Sequence, residues 1–189
     1  MSTSKHIITT LPQFPDRRVL IALFENVQNA AEIKQRVLQP ASDADVLNYA
    51  FISATTVYSI EHILAAVYRA FIDSSDGQAR TKNVHSDIIF SLSPNNNIMD
   101  GLRRFGIADD SHTLLVVRVL TPEDDTATIE AELAAVVRGD ETEVSDAAIT
   151  RACVPEVLRK NYKLSATFDL ADRRATNTAL VGALSLRGL

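Results

Sequence analysis

Short apolar runs separated by stretches of helical period predict an α/β (α+β) fold, a small central mixed sheet covered by helices, in a single domain over residues 1–189. Three observations carry this. The run 19–24 is almost unbroken apolar, as in a strand buried on both faces. Behind the capping residue Ser59, residues 60–72 place Ile60, Leu64, Val67, Tyr68 and Phe71 at helical intervals. At 189 residues and 46% hydrophobic content, a chain buries roughly 70% of its unfolded surface, enough for an apolar core without disulfides or metals.

The elements follow in order. Pro12 and Pro15 bracket an extended entry to the first strand, 19–24. Ala30, Ile33 and Val37 then recur at helical spacing over 30–38, and Pro40 stops that helix. Residues 50–52 fit either a strand or the approach to a helix. After the helix 60–72, the loop 74–78 contains Gly77. Residues 88–92 read as a second β run, ended by the breaker cluster 93–97. A short helix 98–105 closes at Gly106, expected in the left-handed conformation. A third apolar strand spans 113–120 and stops before Pro122; Glu123, Asp124 and Asp125 sit where a helix N-terminus favours negative charge. That helix continues over 129–137. The acidic stretch 140–146 reads as a solvated loop, followed by helical pieces at 147–153 and 156–162 and a last element at 170–184. Strand order is left open.

Composition narrows the function. A formal charge of −5 argues against a protein that coats long nucleic acid, where affinity comes from many neutralised phosphates, and leaves room for a local basic patch. Cys153 is the single cysteine, which excludes an internal disulfide framework and fits a reducing compartment, cytosol or nucleus. No apolar h-region of a secretion signal and no run long enough for a membrane span is present, so no membrane association is expected.

Organised chemistry is missing. None of the six glycines forms a phosphate-cradling loop after a strand. His6, His62, His85 and His112 lack metal-ligand spacing and read as surface or core histidines, so neither metal nor cofactor is expected. Cys153 lies in an acidic neighbourhood that does not favour a thiolate. Asp109 with Asp110, and Asp124 with Asp125, are adjacent pairs better explained by turn and helix-dipole chemistry than by acid/base work.

Four ordered segments carry a resemblance. Pro12-Gln13-Phe14-Pro15 leads through 19–24 to Asn29-Ala30-Ala31-Glu32-Ile33. Ser59 and Ala65-Ala66-Val67-Tyr68 form the second segment. The third runs from Arg80-Thr81-Lys82-Asn83 through Ser91-Leu92-Ser93-Pro94 and Asn97-Ile98 to Phe105-Gly106-Ile107. The fourth joins Tyr162-Lys163-Leu164-Ser165 to the terminal Leu186-Arg187-Gly188-Leu189. Together they resemble the KEOPS (EKC) small-subunit family that binds the PRPK-type kinase, in a fungal member.

The resemblance implies a non-catalytic subunit of the complex that installs threonylcarbamoyladenosine in tRNA. It implies direct contact with the PRPK-type kinase subunit, stimulation of its ATPase, and help in binding tRNA, including the 3′ CCA end. The threonylcarbamoyl transferase subunit is reached only through the complex. Nucleus and cytoplasm, with chromosome and telomere, are the implied locations, together with roles in telomere maintenance and transcription. For tRNA the candidates are Arg80, Lys82, Asn83, Asn95, Asn97, Arg103 and Arg104, a stretch where four basic residues outnumber Asp87 and Asp100. The asparagines equally fit a turn and helix caps. For the kinase the candidates are Leu180, Ala183, Leu186, Arg187 and Leu189, on the last helix and a tail taken as flexible; a helix packed on its own sheet and frayed at the end is the alternative. The helix 60–72, through Ala65, Ala66 and Ala70, is a further kinase-facing candidate. Two other classes remain: a small hydrolase using dispersed carboxylates, and a generic protein-interaction module.

Overall fold

The structure, a computed structural model, describes residues 5–40 and 47–187. By internal contact the chain divides into unit 1, Met1–Ser53 with Ile107–Val144, and unit 2, Ala54–Gly106 with Ser145–Leu189. Residues 1–189 are expected to form one domain, and each of these units is built from two separate stretches of it.

Unit 1 is organised on a sheet. β1 (Ile7–Leu11) and β2 (Phe14–Glu25) form a hairpin whose register runs from Ile7↔Ile21 to Thr10↔Arg18 and shifts at Leu11↔Phe14. The extended entry is therefore a strand of its own, with Pro12 in the turn, where its missing N–H costs nothing. β2 also pairs with β4 (Leu114–Leu120), which pairs with β3 (Ala50–Ser53), in the order β1-β2-β4-β3. A short β5 (Asp140–Thr142) joins the end of β2 through Leu23↔Thr142 and Glu25↔Asp140. The acidic stretch expected to be a solvated loop thus begins as a strand, held by backbone pairing that its composition does not signal.

Among the described residues every pairing is antiparallel, so the expected mixed sheet is an antiparallel one. Both parities of β2 are buried: Val19, Ile21 and Leu23 as fully as Leu20, Ala22 and Phe24, which is why the run reads as unbroken apolar. Leu20, Ala22 and Phe24 join Phe51, Leu114 and Val116 in a core capped by α1 (Ala30–Leu38) and α5 (Thr126–Val136), which contribute Ala30, Ile33, Ile129 and Leu133. Each large side chain buried there contributes roughly 1.5–3 kcal/mol. Asn29 ties the two helices: its amide donates to Val136 O and its carbonyl accepts from Arg138 N, both at 2.9 Å. Asp125 caps α5 by accepting from Thr128 N.

Unit 2 is helical: α2 (Ile60–Ser75), α3 (Val84–Ser91), α4 (Ile98–Phe105), α6 (Asp146–Ala152), α7 (Pro155–Tyr162) and α8 (Arg173–Ser185). α2 and α8 run in the same direction, since Ser59 Oγ donates to Asn177 Oδ1 at 2.6 Å near their starts and Arg69 Nη1 donates to Ser185 O at 3.0 Å near their ends. The β run expected at 88–92 is a correction, because 88–91 belong to α3 and Leu92 is its C-cap. Asn83 caps this helix by accepting from His85 N at 2.8 Å, and Asp87, Ile88 and Ser91, at helical spacing, are all buried. Packing on α2 decided the conformation of a segment whose apolar residues suit either state.

Gly106 is a second correction. Its φ of −75° and ψ of 177° are extended, not left-handed. A Cβ at this position meets the backbone oxygen of Leu102 at 2.5 Å, so close approach, not dihedral freedom, calls for glycine. Among the described residues no helix is long and apolar enough to cross a membrane.

Candidate functional site

The surface with the richest set of predicted residues lies in unit 2, which carries twelve Lys and Arg against nine Asp and Glu; unit 1 carries seven against fifteen. The acidic balance of the chain therefore belongs to the sheet unit.

Two turns build this surface. The first spans 76–83, between α2 and α3. Gln78 N donates to Asp73 O at 2.7 Å, and Gly77, at φ 67°, allows the reversal. At its far end Thr81 N donates to Asp87 Oδ1 at 2.9 Å, and the Thr81 hydroxyl donates to Asn83 O at 2.8 Å. Arg80 and Lys82 emerge exposed from a loop pinned at both ends. Burial raises the Asp87 carboxyl, against the Thr81 hydrogen bonds that lower it.

The second turn, 93–97, is held by its own side chains. Asn95 Oδ1 accepts from Asn97 N at 3.0 Å while its amide donates to Asp100 at 3.1 Å; Asn97 caps α4 through Asp100 N at 3.0 Å. Asn83, Asn95 and Asn97 thus shape the backbone. Asp100 takes both following arginines, Arg103 Nη2 at 2.5 Å and Arg104 Nε at 2.7 Å. With Arg104, Arg103 and Asn95 as its partners, the Asp100 carboxyl falls to about 2. Arg103 stays largely exposed and Arg104 is half-buried, so Arg80, Lys82 and Arg103 are the outward cations of the predicted set.

The predicted kinase-facing residues separate. Leu180 is fully buried and Ala183 half-buried, whereas Leu186 is 64% exposed. Leu189 lies outside the described residues. On α2, Ala66 and Ala70 are buried, Ala65 is half-buried and Tyr68 is 37% exposed. Arg187 is not on a flexible tail. Its side chain is 2% exposed, and the guanidinium donates to Phe90 O at 2.7 Å and Ser93 O at 3.2 Å and stacks 4.1 Å from the Phe90 ring centroid. Burial, with Arg69 nearby, lowers Arg187 to about 10.

The polar interior of this unit is not announced by its sequence. His62 Nδ1 accepts from Tyr58 N at 3.3 Å, which leaves the proton on Nε2 to be donated to Tyr162 Oη at 2.7 Å; Tyr162 in turn donates to Leu92 O at 2.5 Å. Burial lowers His62 to about 3, so the ring is neutral. The paired motif residues Tyr162 and Leu92 give a hint, but only the fold brings them together.

The dispersed carboxylates have structural partners: Asp109 pairs with Lys34 at 3.2 Å, Asp124 accepts from Thr121 N at 2.7 Å and pairs with Arg118 at 3.0 Å, and Asp125 caps α5. His6 lies between Glu130 and Glu141. Burial pushes the Cys153 thiol up to about 11, away from thiolate chemistry. Among the described residues no three His, Cys, Asp or Glu side chains come together as a metal site.

Residues 24–188 match the family model described as kinase binding protein CGI-121. The chain is 42% identical over 177 residues to the EKC/KEOPS complex subunit CGI121 of Yarrowia lipolytica, covering 94% of this chain and 97% of that one. It is 37% identical over 188 residues to the subunit of the same name in Eremothecium gossypii, covering 97% and 99%. The counterpart in Schizosaccharomyces pombe is 32% identical over 181 residues, covering 94% and 98%. On a family match that spans both units and relatives aligned end to end, the chain belongs to the CGI-121 family of kinase-binding proteins.

Proposed function

We propose that this protein is the non-catalytic, kinase-binding subunit of a fungal EKC/KEOPS complex, and that its helical unit helps that complex hold tRNA. The observation that carries the reading is the end-to-end relation to proteins named as subunits of that complex. In this role the chain binds the PRPK-type kinase directly, stimulates its ATPase, and meets the threonylcarbamoyl transferase only through the assembly. It works in nucleus and cytoplasm, and at telomeres.

On the kinase side, Leu186 and Tyr68 support the reading as exposed large apolar groups near the end of α8 and on α2. On the tRNA side, Arg80 and Lys82 on a pinned loop, with Arg103 on α4, support it as outward cations in an acidic protein, suited to phosphates flanking an unpaired 3′ end.

Size-exclusion chromatography of the purified protein with its PRPK-type kinase tests the first part. One shared peak at micromolar concentration is expected; two independent peaks remove the reading. Arg80→Glu with Lys82→Glu tests the second. Loss of two phosphate contacts to single-stranded RNA lowers the slope of log affinity against log salt by about 1.4, while kinase co-elution persists. An unchanged slope removes the tRNA surface from these residues.

A further inference from the structure

Arg187 makes more connections than a residue near a chain end needs. It reaches the last turn of α2 and the end of α3 at once. Its Nη1 donates to Phe90 O, in the last turn of α3, where Ser93 N also donates, and to Ser93 O just past the helix. Its Nη2 faces Asp73 Oδ2 at 3.7 Å. Asp73 Oδ1 accepts from Arg69 Nε at 2.9 Å, and Arg69 Nη2 returns to Arg187 O at 3.4 Å, closing the circuit.

The two elements that Arg187 joins are the two anchors of the 76–83 loop. Asp73 O, on α2, holds Gln78; Asp87, on α3, holds Thr81. The Asp73 charge disfavours that of Asp87, and both carboxylates favour the charged form of Arg187. A guanidinium is the side chain that serves carbonyls, carboxylate and aromatic face together, because its donors form a fixed planar fork.

We propose that Arg187 is a positioning residue: by fixing the end of α2 to the end of α3 it sets the 76–83 loop, and with it Arg80 and Lys82, in the arrangement that meets RNA phosphates. The RNA half rests on the function proposed above; the loop half does not. Arg187 acts from inside the unit and does not touch the kinase.

Residue-level amide exchange on the full chain tests this with Arg187→Met, which keeps the stem and removes the fork, and Arg187→Lys, which keeps the charge. In Arg187→Met the amides of Gln78 and Thr81 exchange at least about tenfold faster, as for loss of one charge-assisted hydrogen bond, while β4 amides stay as in the parent. Arg187→Lys restores part of the protection, and it carries the test alone if the Met variant does not fold. Leu184→Ala, which empties a buried site on α8 with no bond to the loop, serves as the stability control and leaves Gln78 and Thr81 protected. In the assembled complex Arg187→Met weakens tRNA binding severalfold and leaves kinase co-elution unchanged. Parent-like exchange at Gln78 and Thr81, or equal loosening by Leu184→Ala, overturns the proposal. Faster loop exchange with unaltered tRNA affinity overturns its RNA half, and an Arg80→Glu, Lys82→Glu protein that still holds tRNA overturns the functional reading instead.

Discussion

Of the thirteen polar or charged residues buried among the described residues, Asn29 and Ser111 lie in unit 1 and the other eleven in unit 2. Unit 1 fills its interior with aliphatic and aromatic side chains from β2, β3, β4, α1 and α5. Unit 2 threads its interior with Ser59, His62, Tyr162, Asp73, Asp87 and Arg187, whose bonds join segments that α2, α3, α7 and α8 alone do not pair. The first arrangement resists loss of volume poorly and is indifferent to protons. The second is sensitive to each partner, since a buried donor or acceptor left alone costs its full desolvation. Outward charge divides the same way, acidic in unit 1 and basic in unit 2.

The largest effect that probes this contrast is on volume. Phe51→Ala, at the centre of the unit 1 core, is expected to cost about 3–5 kcal/mol in urea unfolding. A loss under about 1 kcal/mol means that the sheet core collapses around the gap and that volume is not what holds it.

The next effect is pH. His62 is lowered from 6.5 to about 3 by burial, so between these values the unfolded chain takes up a proton that the folded chain refuses. Stability is complete above about pH 6.5 and declines as pH falls toward 3, at roughly 1.4 kcal/mol per unit, or about 2–3 kcal/mol by pH 4.5. His62→Gln should flatten this part of the profile, and acid should release unit 2 amides before those of β2 and β4. Simultaneous release contradicts the division.

The smallest compares two helix caps. Ser59→Ala removes a buried cap that also donates to Asn177 and should cost roughly 2 kcal/mol; Asp125→Ala removes an exposed one and should cost about 0.5–1 kcal/mol. Equal costs in thermal melts would erase the distinction between a wired and an unwired interior.

Much of unit 1 is legible in one dimension, because period and burial coincide there: 19–24 and 113–120 announce strands, Pro122 follows the second of them, and Pro40 follows α1. β1 and β5 escape because an edge strand of five residues and an acidic one of three are made by their neighbour β2, not by their own propensity. Ser59, Asn97 and the last-turn arginines of α4 are equally readable as caps and dipole partners. The identity of α3 is not, since Ile88, Ile89 and Phe90 satisfy a strand until α2 packs on them. Arg187 escapes for a plainer reason: its partners Phe90, Ser93 and Asp73 stand about a hundred positions away, and an arginine beside a glycine among the last residues looks solvated. Among the candidate residues, outward placement of Arg80, Lys82 and Leu186 agrees with expectation, while Leu180 and Arg187 turn inward.

Gly106 imposes a different kind of limit. The obstacle to a side chain there is a peptide oxygen of the preceding helical turn, fixed by the covalent path of α4, so no rotamer change nearby can make room. In a saturation library this position should tolerate essentially no replacement and gain no second-site suppressors, whereas Gly101, hemmed in by the Phe90 ring and the Ser93 side chain at 3.1 Å, should admit alanine once a neighbour is trimmed.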